Sequence, residues 1–143
     1  MTPKNRIKGA SFTYAFGRIN TAIKQEFYLE AVTLAESVIS DRLYSFVKHR
    51  EGTVNKKTTL HQLISKAQKL STSTVTTKYG NDMFQALDQW RINRNTCVHS
   101  VAKSEPGEPT ITVDEFTAMA KASAIEGKKL ARLVCDWHRT VKN

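Results

Sequence analysis

Arg94, Asn95 and His99 are the residues of this chain whose types and spacing suit one another for chemistry on a phosphate ester. Histidine gains and loses a proton near neutral pH, so His99 can take a proton from an attacking hydroxyl or give one to a leaving oxygen. Arginine offers a rigid fork of donors that matches non-bridging phosphate oxygens as charge builds on them. The Asn95 amide can hold a phosphate or fix an imidazole without changing protonation state. Cys97 does not join this set as a nucleophile, because residues i and i+2 project to nearly opposite sides of a helix and His99 is then out of reach.

The segment that must position these residues reads as a helix from about Asn81-Asp82, two residue types suited to an N-cap, to about Ala102. Its core row, Met83, Leu87, Trp90, Arg94, Cys97 and Val101, steps by 4, 3, 4, 3 and 4, so a guanidinium falls in the register of the buried stripe. A charge placed there needs a partner, and Glu30, Glu36 and Asp41 are the candidates on an earlier helix. Asn95 and His99 lie one turn apart on a neighbouring face that also carries Asp88 and Ile92, with Phe84 at its flank. Arg94 and His99 differ by about 140° around the helix, so they meet within one chain only if the long arginine bends round. Ile92 on the outer face implies a second contact surface, which a two-fold dimer uses twice.

Other elements follow from periodicity and capping. Residues 1–18, with Lys4, Arg6, Lys8 and Arg18 and no acid, read as a basic N-terminal arm, a frayed terminus over 1–10 and beyond that either more of the same or a segment that clasps RNA or a second subunit with Phe12, Tyr14 and Phe16 as anchors. A long amphipathic helix is expected over about Asn20 to Arg50, where Ile23, Phe27, Ala31, Leu34 and Val38 step by 4, 4, 3 and 4. Gly52 supplies a left-handed cap. Thr59 and Gln62 form a capping box opening a short second helix with Leu60, Leu63, Ile64, Ala67 and Leu70 on its inner side. Ser71 to Thr77 reads as a loop, and Lys103 to Pro109 as a decisive break. Thr112 and Glu115 form a second capping box. The last helix, about Val113 to Lys142, steps Phe116, Ala120, Ser123, Gly127, Leu130, Val134, Trp137 and Val141 in a heptad-like seam, with Gly127 as a close packing contact. The expected fold is all-α, an up-and-down four-helix bundle with long first, third and last helices, forming one domain over residues 19–143.

The stretch Arg94-Asn95-Thr96-Cys97-Val98-His99 resembles the signature of HEPN-type ribonucleases: Arg, a polar Asn, Asp or His, then His after four to six intervening residues, on a late helix of a four- to five-helix bundle. Two other Arg-to-His spacings, Arg42 to His49 and Arg132 to His138, have Leu43 and Leu133 after the arginine and miss the polar position. The resemblance implies metal-independent endoribonuclease activity at a composite site made by two chains. The ribose 2′-hydroxyl attacks the adjacent phosphate, leaving a 2′,3′-cyclic phosphate and a free 5′-hydroxyl. It further implies a homodimer, no cofactor, a role as toxin or phage-defence effector, and an antitoxin or regulatory protein as partner. The competing class is a non-catalytic helical module that binds nucleic acid or a partner protein such as a nucleotidyltransferase.

Composition agrees with a phosphate-bearing partner. The chain has 143 residues, with 22 Lys plus Arg against 13 Asp plus Glu and a formal net charge of +9, as expected of a protein that meets phosphate, although a solvated basic surface gives the same balance and the charge alone does not settle the partner. Lys56, Lys57, Lys66, Lys69 and Lys78 make a basic stretch around the second helix that could form an RNA track leading to Arg94. His49 and His61 read as solvated. The two cysteines, Cys97 and Cys135, lack the spacing of a zinc site and read as free thiols, so no metal is expected. No apolar run approaches a membrane span and residues 1–9 lack a secretory apolar stretch, so the expectation is a soluble cytoplasmic protein.

Overall fold

The computed structural model describes the backbone of residues 3–71, 80–102 and 111–141, and the side chains of residues 6–71, 83–99 and 111–141. Five helices fill them: α1 (Pro3–Lys24), α2 (Tyr28–Glu51), α3 (Leu60–Leu70), α4 (Gly80–Ala102) and α5 (Val113–Val141). No strand occurs among the described residues, and none of their helices is long and apolar enough to cross a membrane.

The N-terminal region departs most from the sequence expectation of four helices. Residues expected as a basic arm belong to α1, a helix of 22 residues. Its apolar side chains Phe12, Phe16, Ile19, Ala22 and Ile23 recur at helical spacing; Ile19 and Ala22 are buried, and the others pack against the core. Two of the four basic residues that suggested a solvated arm meet acids on α2: Lys8 Nζ lies 3.1 Å from Asp41, and Arg18 Nε donates to Glu30 over 2.7 Å.

The single helix expected over residues 20–50 is broken between Lys24 and Tyr28. Phe27 N–H donates to the Ala22 carbonyl over 2.7 Å, Glu26 N–H donates to Ile23 over 3.1 Å, and Glu26 has φ +64. This pair of bonds around a left-handed residue is a Schellman motif, usually built on glycine. With Glu26 in that position, the periodicity of side chains runs on across a stop that composition does not announce. The break rephases the chain, leaving Phe27 56% exposed and Tyr28 buried.

Elsewhere local signals coincide with the element ends. Gly52 has φ +87 and its N–H reaches Lys48 O at 2.7 Å. Thr59 and Gln62 exchange both capping bonds, at 3.0 and 3.2 Å. Thr112 and Glu115 do the same, at 3.3 and 3.1 Å. The loop expected over Ser71 to Thr77 lies outside the described residues from 72 onward, as do the break at Lys103 to Pro109 and Lys78.

Helix α2 is central, packing on α1, α3 and α5, while α4 packs on α5 and α3. Contacts between Lys8 and Asp41 and between Arg18 and Glu30 set α1 antiparallel to α2. Ala35 lies beside Gly127, and Ser45 beside His138, so α5 runs parallel to α2. Trp90 against Ser123 and Phe84 against Trp137 make α4 antiparallel to α5. The three helices meet at Trp137, fully buried, with Phe46 and Phe84 edge-on at centroid distances of 4.6 and 5.7 Å. Its indole N–H has no hydrogen-bond partner among the described residues, so the site depends on apolar packing, at about 1.5–3 kcal/mol for each large side chain buried.

Gly127 is a close packing contact. A Cβ there would stand 2.8 Å from the Trp90 ring and 3.2 Å from Ala35 Cβ. Its absence lets α5 approach both α2 and α4, and Trp90 Nε1 then donates to Ser123 O over 2.9 Å.

Candidate functional site

The register of α4 decides where its polar residues point. Met83, Leu87, Trp90 and Cys97 of the expected core row are each at most 2% exposed, and Arg94 sits among them with its side chain 16% exposed. A guanidinium so placed requires a counter-charge, and Glu36 of α2 meets its Nη1. The other candidates are engaged elsewhere: Glu30 with Arg18, Asp41 with Lys8 and Arg42. Arg94 Nε and Nη2 both donate to Asn95 Oδ1, at 3.2 and 2.8 Å, and the guanidinium lies 5.8 Å from the centroid of the Trp90 ring. The arginine therefore curls across Asn95 instead of reaching straight into the core.

His99 is exposed and makes no side-chain hydrogen bond among the described residues. It nevertheless opens into the same cavity as Arg94 and Asn95, a hollow of about 400 Å³ between α2 and α4 walled by Leu29, Val32, Glu36 and Val98. The angular separation of Arg94 and His99 around the helix is bridged by space, not by contact. Within one chain the cavity thus presents a held guanidinium and a solvent-facing imidazole to a common volume. Leu29, Val98 and Ile92 are 41%, 46% and 42% exposed, leaving apolar surface beside the polar groups.

The lysines expected to lead toward Arg94 are placed differently. Lys56 and Lys57 occupy the turn between α2 and α3, and Lys69 is exposed near the end of α3. Lys66 lies 3.9 Å from Glu51. Glu36, at the site, and Glu51, beside Lys66, are about 22 Å apart along the axis of α2, so Lys66 stands well away from the Arg94 cavity, and none of Lys56, Lys57 and Lys69 lines it. Lys78 lies outside the described residues.

Neither cysteine is prepared for nucleophilic work. Burial pushes the Cys97 thiol up from its ordinary value, and burial also raises Cys135, opposed by Arg42 and Arg139. Among the described residues no group of three His, Cys, Asp or Glu side chains is placed to hold a metal ion.

Two polar groupings escaped sequence reasoning because they join helices distant in the chain. Asp88 of α4 accepts from Arg91 Nε and Nη2 at 3.0 and 2.9 Å and lies 3.4 Å from His61 Nδ1 of α3. These bonds, the one from Arg91 foremost, hold the Asp88 carboxyl below its ordinary range. Near the other end of α5, His138 lies between Arg42 and Ser45, with Nδ1 3.3 Å from Arg42 Nη1 and Nε2 3.3 Å from Ser45 Oγ. Since a guanidinium only donates, a hydrogen bond at this place requires Nδ1 to accept. Phe12 and Phe16, one turn apart, were the available signal for this second region, since each is covered by an arginine.

Comparison with known proteins finds no matching family model, no matching curated protein and no matching solved structure. Fold and site together define an all-helical basic chain with an Arg-Asn-His cavity lined from α2 and α4. Its functional reading rests on these residues and their geometry.

Proposed function

We propose that this chain is a HEPN-type, metal-independent endoribonuclease whose active site is completed by a second copy. The observation that carries the reading is that Arg94, Asn95 and His99 open into one cavity, with the guanidinium oriented by Glu36 and Asn95. In the proposed reaction one imidazole takes the proton of a ribose 2′-hydroxyl as its oxygen bonds to phosphorus. The bond from phosphorus to the 5′-oxygen breaks, and a protonated imidazole supplies the proton that this oxygen needs. Arg94 faces the non-bridging oxygens as their charge rises. One His99 cannot serve both roles at once on opposite sides of phosphorus, so two copies across a two-fold axis supply acid and base. In this reading the long helices form the up-and-down bundle of that class, with α3 as a short insertion.

The test is cleavage of a mixed RNA pool in the presence of a chelator. His99→Ala and Arg94→Ala are expected to lose at least about a hundredfold in rate, the usual scale for a general acid-base group. Products of wild type should carry a 2′,3′-cyclic phosphate. If wild type and His99→Ala leave the pool equally intact, the ribonuclease reading fails. One observation favours a second reading, a non-catalytic module binding nucleic acid or a partner protein: Glu36 and Asn95 already engage the Arg94 fork. RNA retention without cleavage, unchanged in His99→Ala, would establish that reading in place of the first.

A further inference from the structure

A second cavity, of about 620 Å³, lies between α1, α2 and α5, away from the Arg94 site. Its size falls within the range of small-ligand sites. Three arginines line it, Arg42, Arg132 and Arg139, against one lining carboxylate, Asp136. Asp136 pairs with Arg139, and Asp41 takes Arg42 at 2.6 Å. Arg132 lies over the Phe16 ring at 4.6 Å and has no carboxylate within ion-pairing distance among the described residues. A cation–π contact of that length holds the Arg132 guanidinium against the α1 wall without using its N–H donors.

The opposite wall supplies an independent observation. Gly9 and Gly17 of α1 line the cavity. A Cβ at either would meet nothing within 4 Å, so contacts within this chain do not require glycine at either place. Glycine is the least favourable residue after proline inside a helix. Two of them facing an arginine-lined hollow keep the α1 wall low, so that a group can approach its backbone closely.

We infer that this cavity binds a phosphate ester, with Arg132 as the principal ligand and Arg42 and Arg139 as flanking charges. The inference stands apart from the Arg94 reading, since no residue is shared. The phosphate belongs either to a free mononucleotide or to the backbone of a single strand. The hollow accommodates the first whole and the second in passing.

Binding of three probes to the full-length chain separates these sources: inorganic phosphate, 5′-AMP, and a labelled ten-nucleotide strand lacking 2′-hydroxyls, which the proposed ribonuclease chemistry cannot cut. Arg132→Gln and Gly17→Leu are expected to weaken the bound probe by about tenfold or more, as loss of a charge-assisted contact or of space implies. Lys121→Gln, an equal loss of charge on an exposed part of α5, should change little. Circular dichroism verifies folding, and Arg132 is exposed enough for its variant to retain structure. Binding of 5′-AMP that falls in the variants identifies a nucleotide site; binding of the strand alone that falls in them identifies a backbone site. No binding of any probe at millimolar concentration overturns the inference, as does equal weakening by Arg132→Gln and Lys121→Gln. Failure of RNA cleavage leaves it standing.

Discussion

Arg94 shows how a single residue can serve packing and chemistry at once. Its neighbours in register are buried aromatic and aliphatic groups, so the charge persists there through Glu36, whose side chain is 34% exposed, while Arg94 is 16% exposed. The asymmetry has a consequence: removing the carboxylate strands a mostly buried cation, whereas removing the cation leaves a carboxylate that water reaches. Glu36→Ala is expected to cost about 1–3 kcal/mol in urea unfolding, and Arg94→Met distinctly less. Equal costs would refute this account of the pair. Asp88 supplies a pH-dependent counterpart. Its folded value is lowered by Arg91 and His61, so its stabilisation is full above the ordinary carboxylate range and is lost as pH falls through the lowered value. The stability gap between wild type and Asp88→Asn should therefore be present at neutral pH and close on acidification. A gap that persists in strong acid would contradict it.

At the scale of elements, the two ends of the α1–α2 turn and the seam of α5 carry the sharpest constraints. Glu26 holds a left-handed conformation that costs a side-chain-bearing residue about 1–2 kcal/mol. Glu26→Gly removes that strain but adds freedom to the unfolded chain, so a net gain of about 0.5–1 kcal/mol is expected in thermal or urea unfolding. The opposite substitution at Gly127 should have the opposite effect. A methyl group 2.8 Å from a buried Trp90 ring forces α5 away from α4. The overpacking cost exceeds the helix-propensity gain, and Gly127→Ala should lose about 1–2 kcal/mol. Capping boxes and the α5 seam were legible because each is a local pattern. The α1–α2 break was not, because a glutamate stands where glycine would have announced it.

Across the whole molecule, charge is distributed by pairing as much as by exposure. Of the basic residues of α1, Lys8 and Arg18 face acids of α2. That cross-helix matching turns a segment with no acid of its own into a packed helix. The apolar surface left beside the Arg94 cavity, at Leu29, Ile92 and Val98, bears on the proposed two-chain site. In sedimentation the wild type is expected to associate at micromolar concentration, and Val98→Asp to remain monomeric and lose cleavage while keeping its helical signal. A monomeric wild type that cleaves RNA would exclude the composite arrangement.

The all-helical class, the ends of α3 and α5, and the anomalous charge at Arg94 were all readable from the chain itself, since periodicity and capping act over a few neighbours. Which acid Arg94 pairs with, and that His99 shares its cavity despite facing elsewhere on α4, depended on α2 lying across it. The role of Phe12 and Phe16 depended likewise on α1 folding back on α2 and α5. These are contacts between segments remote in sequence, which no local pattern encodes. Tertiary packing alone decided that Arg94, Asn95 and His99 face one volume, because only the neighbouring helix gives that volume its second wall.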